Sequence, residues 1–202
     1  MQAVIRIRPS RSDVPSLCGT TDGSGVSRGK TMKELILVGG PMGVGKTSTC
    51  RELLHRLSPS AFLDGDWCWT MSPFVVNGET KNMVLDNIGH ILNNFLRCSA
   101  YRYVIFCWVM HSQSIVDDIL RRLDLTDTRT TLFTLTASEQ VLRARLQHDI
   151  DEGTRSPGVI ERSLERLPRY AAMKSVNIDV SDITPALAAA RMEAFLKEPE
   201  SS

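Results

Sequence analysis

Gly40-Pro41-Met42-Gly43-Val44-Gly45-Lys46-Thr47 is the stretch that decides how this chain folds. It fills the pattern GxxxxGK(S/T) in full, and the residues on either side give it the context the pattern needs. Glu34 to Val38 is a short apolar run rich in β-formers that ends in Gly39-Gly40, so it reads as a buried strand entering a tight turn. Lys46 to Leu57 then carries Leu53, Leu54 and Leu57 at helical spacing, with Pro59 as the stop. Strand, glycine loop and helix in immediate succession form a cradle for phosphate. The glycines let the backbone close around an anion with its N–H groups inward, and the helix N-terminus adds partial positive charge there. Lys46 supplies a full charge to the β and γ phosphoryl oxygens of ATP, the Thr47 hydroxyl is placed to ligate magnesium, and Ser48 adds a further hydroxyl beside the phosphates.

Outward from the loop the two kinds of element keep alternating. Ala61 to Leu63 reads as a strand that ends in Asp64-Gly65-Asp66. Lys81 to Cys98 is an amphipathic helix with Val84, Ile88, Ile91, Leu92 and Phe95 on one face. Tyr103 to Met110 is almost wholly apolar, as a central parallel strand buried on both faces should be. A helix over Ile115–Leu123 and a strand over Thr130–Leu135 follow. Thr136-Ala-Ser-Glu139 reads as a capping box that opens a helix ending near Gly153. Ser156-Pro157 reads as N-cap and N1 of a helix reaching about Met173. A last strand over Val176–Val180 precedes a helix capped by Thr184-Pro185. About five strands alternating with helices specify an α/β fold, a mostly parallel sheet covered by helices on both faces.

The bulk numbers limit what such a fold does. The 202 residues suit one domain, expected over 32–198, with 1–31 as a disordered leader and 199–202 as a disordered tail. Met1 to about Lys30 holds a Gly, Ser and Thr run and no apolar stretch of the kind a secretory signal requires. With 24 Lys and Arg against 23 Asp and Glu, the net charge of +1 gives no long-range field to recruit nucleic acid or membrane. No uncharged run approaches the roughly 20 apolar residues of a spanning helix. The five cysteines form no CxxC pair, which argues against a zinc site or a disulfide framework and for reduced thiols in the cytoplasm.

Two carboxylates two residues apart, Asp64 and Asp66, stand where the second strand ends. Ligands of doubly wound sheets bind beyond the carboxyl ends of the strands, so the pair can divide its labour between metal and acceptor. The Walker A loop followed by Phe62-Leu63-Asp64-Gly65-Asp66 resembles the small-molecule P-loop kinases, among them gluconate, shikimate, adenylylsulfate and chloramphenicol kinases. The resemblance implies a three-layer P-loop NTPase fold with a helical lid. It also implies that Asp64 holds magnesium through water and that Asp66 contacts the hydroxyl accepting phosphate. Leu142-Arg143-Ala144-Arg145-Leu146 resembles the helix leading into the lid, which puts Arg145 near adenine or the phosphates. Arg155, Arg162 and Arg166 are the candidates for the lid arginine that stabilises transferring charge.

The sequence departs from that pattern in two places. A second arginine soon after Arg145 is missing, with His148 and Asp149 nearby instead, and the apolar strand Ile105–Met110 has no terminal Asp. Trp67 or Trp69 is open to two roles, packing or lining the acceptor pocket, and His111 to two more, structural or acid-base. The expected activity is transfer of the γ-phosphoryl group of Mg·ATP to a hydroxyl of a small molecule in the cytoplasm, with neither nucleic acid nor membrane as partner. A nucleoside or nucleotide kinase is the alternative within enzymes, and an ATP-binding regulatory switch the alternative outside them.

Overall fold

Leu35, Ile36, Leu37 and Val38 are all fully buried, and their side chains divide alternately between two apolar clusters, as the two-residue period of a strand requires. They form the centre of β1 (Lys33–Gly39) in the computed structural model, which describes residues 32–198. The expected leader, 1–31, and tail, 199–202, lie outside the described residues. Behind β1 come α1 (Lys46–Arg56), β2 (Ser60–Asp64), a short 3-10 turn (Gly65–Trp69), α2 (Gly78–Arg97), β3 (Tyr103–Cys107) and α3 (Gln113–Leu120). The second half adds β4 (Thr128–Thr136), α4 (Glu139–Asp151), α5 (Val159–Glu165), α6 (Leu167–Ala171), β5 (Val176–Asp179) and α7 (Pro185–Lys197).

The five strands run parallel in the order β2-β3-β1-β4-β5, so the α/β architecture read from the sequence is the one observed. Ile36, Val38, Ile105 and Cys107 face a cluster with Leu53 of α1, Leu142 and Leu146 of α4, and Ala188, Ala189 and Met192 of α7. Leu35, Leu37, Val104 and Phe106 face the other cluster, built on Val84, Ile88 and Leu92 of α2 and Val116 and Ile119 of α3. Strand order sets the site. β1 lies in the middle, β3 beside it carries β2 on its far side, and the loops after β1, β2 and β3 open along one rim.

Several element limits differ from the sequence reading, each for a physical reason. β3 stops at Cys107 rather than Met110, because its ladder partners end level with it, Cys107 pairing with Val38 on one side and Asp64 on the other. Helix α2 starts at Gly78, ahead of Lys81, since Asn77 and Thr80 close a capping box. The cap of α4 is Ser138, whose hydroxyl accepts from the Val141 amide, while Thr136 still belongs to β4. The helix expected from Ser156 begins at Val159, after Gly158 in a left-handed conformation at φ 85°, and divides at Arg166 into α5 and α6, with Pro168 in the first turn of α6.

At the opposite end of the sheet Glu34, only 4 % exposed along its side chain, accepts from the Arg129 guanidinium through both carboxylate oxygens, Nε–Oε2 at 2.9 Å. Removing one partner of a buried pair leaves an uncompensated charge, at a cost of about 3–5 kcal/mol. Arg129→Ala is expected to lower unfolding stability by about that much. A double variant, Glu34→Gln with Arg129→Met, is expected to lose less, as urea unfolding would measure.

Candidate active site

The loop between β1 and α1 is shaped by three glycines at positive φ, Gly40 at 146°, Gly43 at 76° and Gly45 at 99°. At Gly40 there is a second requirement, since a Cβ would stand 2.6 Å from the Leu135 carbonyl oxygen on β4. Gly43 lies so close to Leu146 of α4 that the loop and that helix are seated on each other. No side chain caps α1 and no acidic residue stands in its first turn, so its leading N–H groups are left to an anion. Lys46 Nζ donates to the Pro41 carbonyl at 2.8 Å, which folds the ammonium back over the loop it belongs to. Burial holds that ammonium below the usual lysine range, and the charges of Asp66 and Asp64 work against the shift.

β2 carries the acidic pair to the same rim. Asp64, 5 % exposed, accepts from the Thr47 hydroxyl at 2.6 Å and from the Asp66 amide at 3.0 Å. Two hard oxygen donors, one from α1 and one from β2, thus meet at a single point. That set fits magnesium, which takes one or two protein oxygens together with phosphate oxygens rather than an all-protein cage. No group of three or more His, Cys, Asp or Glu side chains offers such a cage among the described residues.

Asp66 stands on the same rim, beside the residue that follows β3. Its carboxylate accepts from Trp108 Nε1 at 3.1 Å. Burial raises its pKa above the ordinary aspartate value, and the like charge of Asp64 adds to the shift while Lys46 opposes it. The residue between the two aspartates has to be glycine, because a Cβ on Gly65 would stand 2.6 Å from the Trp108 ring. Sequence reasoning singled out Trp67 and Trp69, yet the indole on Asp66 is Trp108. The signal for it was its place one residue past β3, level with the end of β2. Trp67, 52 % exposed, packs edge-on against Phe62 with centroids 5.4 Å apart. Trp69 lies against Phe74, itself 67 % exposed.

The arginines separate in space. Arg145 donates to the carbonyls of Val44 (3.2 Å) and Val180 (2.9 Å), tying the phosphate loop to the turn after β5. With Gly43, Gly45, Ile183 and Pro185 it lines a cavity of about 210 Å³ on the outer side of the loop. Arg155 pairs with Asp149, Nε–Oδ2 at 2.8 Å, and its charge acts on both Lys46 and Asp66. Arg166 and Arg169 act on His111 after β3, whose imidazole is held below the ordinary histidine value by burial first and these two cations second. Arg162 is exposed on α5. β3 runs into Cys107-Trp108 with no carboxylate, as the sequence indicated.

Among solved structures, the tunicamycin resistance protein of Deinococcus radiodurans is similar to this chain at 20 % identity, with TM-score 0.59 over 83 % of this chain and 97 % of that one. A gluconokinase from Sinorhizobium meliloti 1021 is similar at 21 % identity, TM-score 0.56, over 84 % and 100 %. Shikimate kinase from Acinetobacter baumannii in complex with shikimate is similar at 20 % identity, TM-score 0.57, over 85 % and 97 %. At these identities the likeness is one of fold. No curated protein matches the chain by sequence. The family model described as an AAA domain matches residues 36–166, from within β1 to the end of α5 and across the loops after β1, β2 and β3. A match over that span means that the chain belongs to the AAA-domain family of P-loop proteins.

Proposed function

We propose that the protein is a kinase that moves the γ-phosphoryl group of Mg·ATP to a hydroxyl of a small molecule. One observation carries the reading. Asp64 bonds through one oxygen to Thr47 of the phosphate loop and through the other to the amide of Asp66. A second carboxylate is thereby set at a fixed place beside the donor's terminal phosphate, where an acceptor hydroxyl has to lie. The loop amides and Lys46 hold the phosphate oxygens, and the cavity beside Arg145 receives the adenine. Asp66 orients the acceptor hydroxyl and takes its proton, a role its raised pKa suits. Thr47 and, through water, Asp64 would hold magnesium, which when bound neutralises charge on the phosphates. Arg155 adds positive charge on the far side of the transferring group. Positioning and charge stabilisation account for the rate, because a loose phosphoryl transition state asks for little covalent chemistry.

Arg166 and Arg169, beside His111, give the acceptor side a cationic wall, and the exposed rings of Trp67 and Phe74 offer an apolar one. Those rings favour a second reading within kinases, in which the acceptor is a nucleoside or nucleotide whose base stacks there. The free thiols of Cys50, Cys68, Cys98 and Cys107 suit a reducing compartment, so we place the reaction in the cytoplasm. No helix among the described residues is long and apolar enough to cross a membrane. The test is ADP release from Mg·ATP across a library of hydroxy acids, sugars and nucleosides. A kinase shows one acceptor class that raises ADP release and returns as its phosphate ester. If no compound does so and hydrolysis responds only to a macromolecule, the protein is a switch.

A further inference from the structure

The Asp149–Arg155 pair stands at the C-terminal end of α4, and the reading above gives Asp149 no role. Asp149 belongs to the last turn of α4. The chain then reverses at Gly153, with φ 72°, and folds back on it, since the amide and the hydroxyl of Thr154 both donate to the Asp149 carbonyl, at 2.9 and 2.8 Å. Arg155 lands opposite the Asp149 carboxylate. The contact is made through Nε alone, and the two side chains are 35 % and 32 % exposed. A guanidinium has five N–H donors. Gripped at Nε, it keeps both terminal nitrogens, which donate to no group among the described residues. Its charge is felt at Lys46 and at Asp66, the two groups between which a transferring phosphate would sit. The helix carrying Asp149 is itself fastened to the loop, through Leu142 and Leu146 against Gly43 and through Arg145 on the Val44 carbonyl.

We propose that Asp149 is a positioning residue that aims the Arg155 guanidinium at the γ-phosphoryl group, holding it by Nε from the body that carries the phosphate loop. The proposal rests on the kinase reading. It explains how one arginine is both anchored and available. Asp149 touches no phosphate, so its effect passes wholly through Arg155, and a lysine at 155 could not be gripped and donate in the same geometry.

Calorimetry with Mg·ATP and Mg·ADP tests it without knowledge of the acceptor, on wild type, Asp149→Ala, Arg155→Ala, Arg155→Lys and the double variant Asp149→Ala/Arg155→Ala. Charge-assisted hydrogen bonds to the third phosphate are expected to make wild type prefer ATP roughly tenfold or more. Asp149→Ala, which removes the acceptor for Arg155 Nε, is expected to lose most of that preference while its ADP affinity, set by the loop and Lys46, stays within about twofold and reports an intact fold. The double variant loses no more than Arg155→Ala, and Arg155→Lys resembles Arg155→Ala. A wild-type ATP-to-ADP ratio in Asp149→Ala, a parallel loss of both nucleotides, or additive losses in the double variant overturns the proposal and leaves a structural ion pair. If Asp149→Ala does not fold, Arg155→Lys decides, and a wild-type ratio there overturns it. Wild type that binds neither nucleotide refutes the kinase reading and the proposal together, whereas binding with an unchanged ratio in Asp149→Ala refutes only the proposal.

Discussion

Lys46→Ala is expected to cut ATP turnover by roughly a thousandfold or more, the upper end of what one lost oxyanion-type donor costs. The ammonium sits where water is scarce, which its lowered pKa reflects, so its charge acts at a low effective dielectric. Its bond within the chain is to a loop carbonyl of Pro41, outside both apolar clusters, so the fold should survive the change. Thermal unfolding should therefore remain close to wild type while ADP release collapses. Turnover above about a tenth of wild type would mean that the loop amides alone hold and activate the phosphates, against the magnitude assigned to Lys46.

Asp66→Asn should separate binding from transfer. Asparagine keeps an oxygen for Trp108 Nε1 and changes little in volume, so ATP affinity should stay within about threefold while phosphorylation of the acceptor falls roughly 10²- to 10⁴-fold. The sign of the pH effect follows from the raised pKa. The carboxylate is the working form, so kcat/KM with acceptor is lost as pH falls through a pKa above the ordinary aspartate value, and the loss begins nearer neutrality than for an exposed aspartate. The variant should show no such acid limb. Normal transfer by Asp66→Asn would reduce the residue to a turn former.

The parts of this molecule that were legible from sequence are those whose cause is local. The run Glu34–Val38, the glycines and Lys46-Thr47 lie within fifteen residues of one another, and each needs only its neighbours to be understood. Asp64 and Asp66 were legible because a strand end and a pair of carboxylates can be read together. What escaped depends on elements distant in the chain. The apolar run from Tyr103 gives no sign that pairing stops at Cys107, because the stop is set by Val38 and Asp64. Trp108 could not be told from Trp67 until β2 and β3 were in register. Among the lid arginines, Arg155 stands apart only after Gly153 turns the chain back onto Asp149, and Arg166 only after α6 faces the end of β3.

Because alternate residues of β1 and β3 look into different apolar clusters, the phosphate loop and the Trp108 side of the rim have separate foundations. The loop rests on α1, α4 and α7, while Trp69, Met71 and Trp108 pack on the cluster of α2 and α3. Under the kinase reading, a lineage can therefore rewrite α2 and the Trp69–Val76 segment to take another acceptor while the phosphate loop keeps its seat. Such insulation lets one scaffold diversify by altering one bank of the sheet at a time.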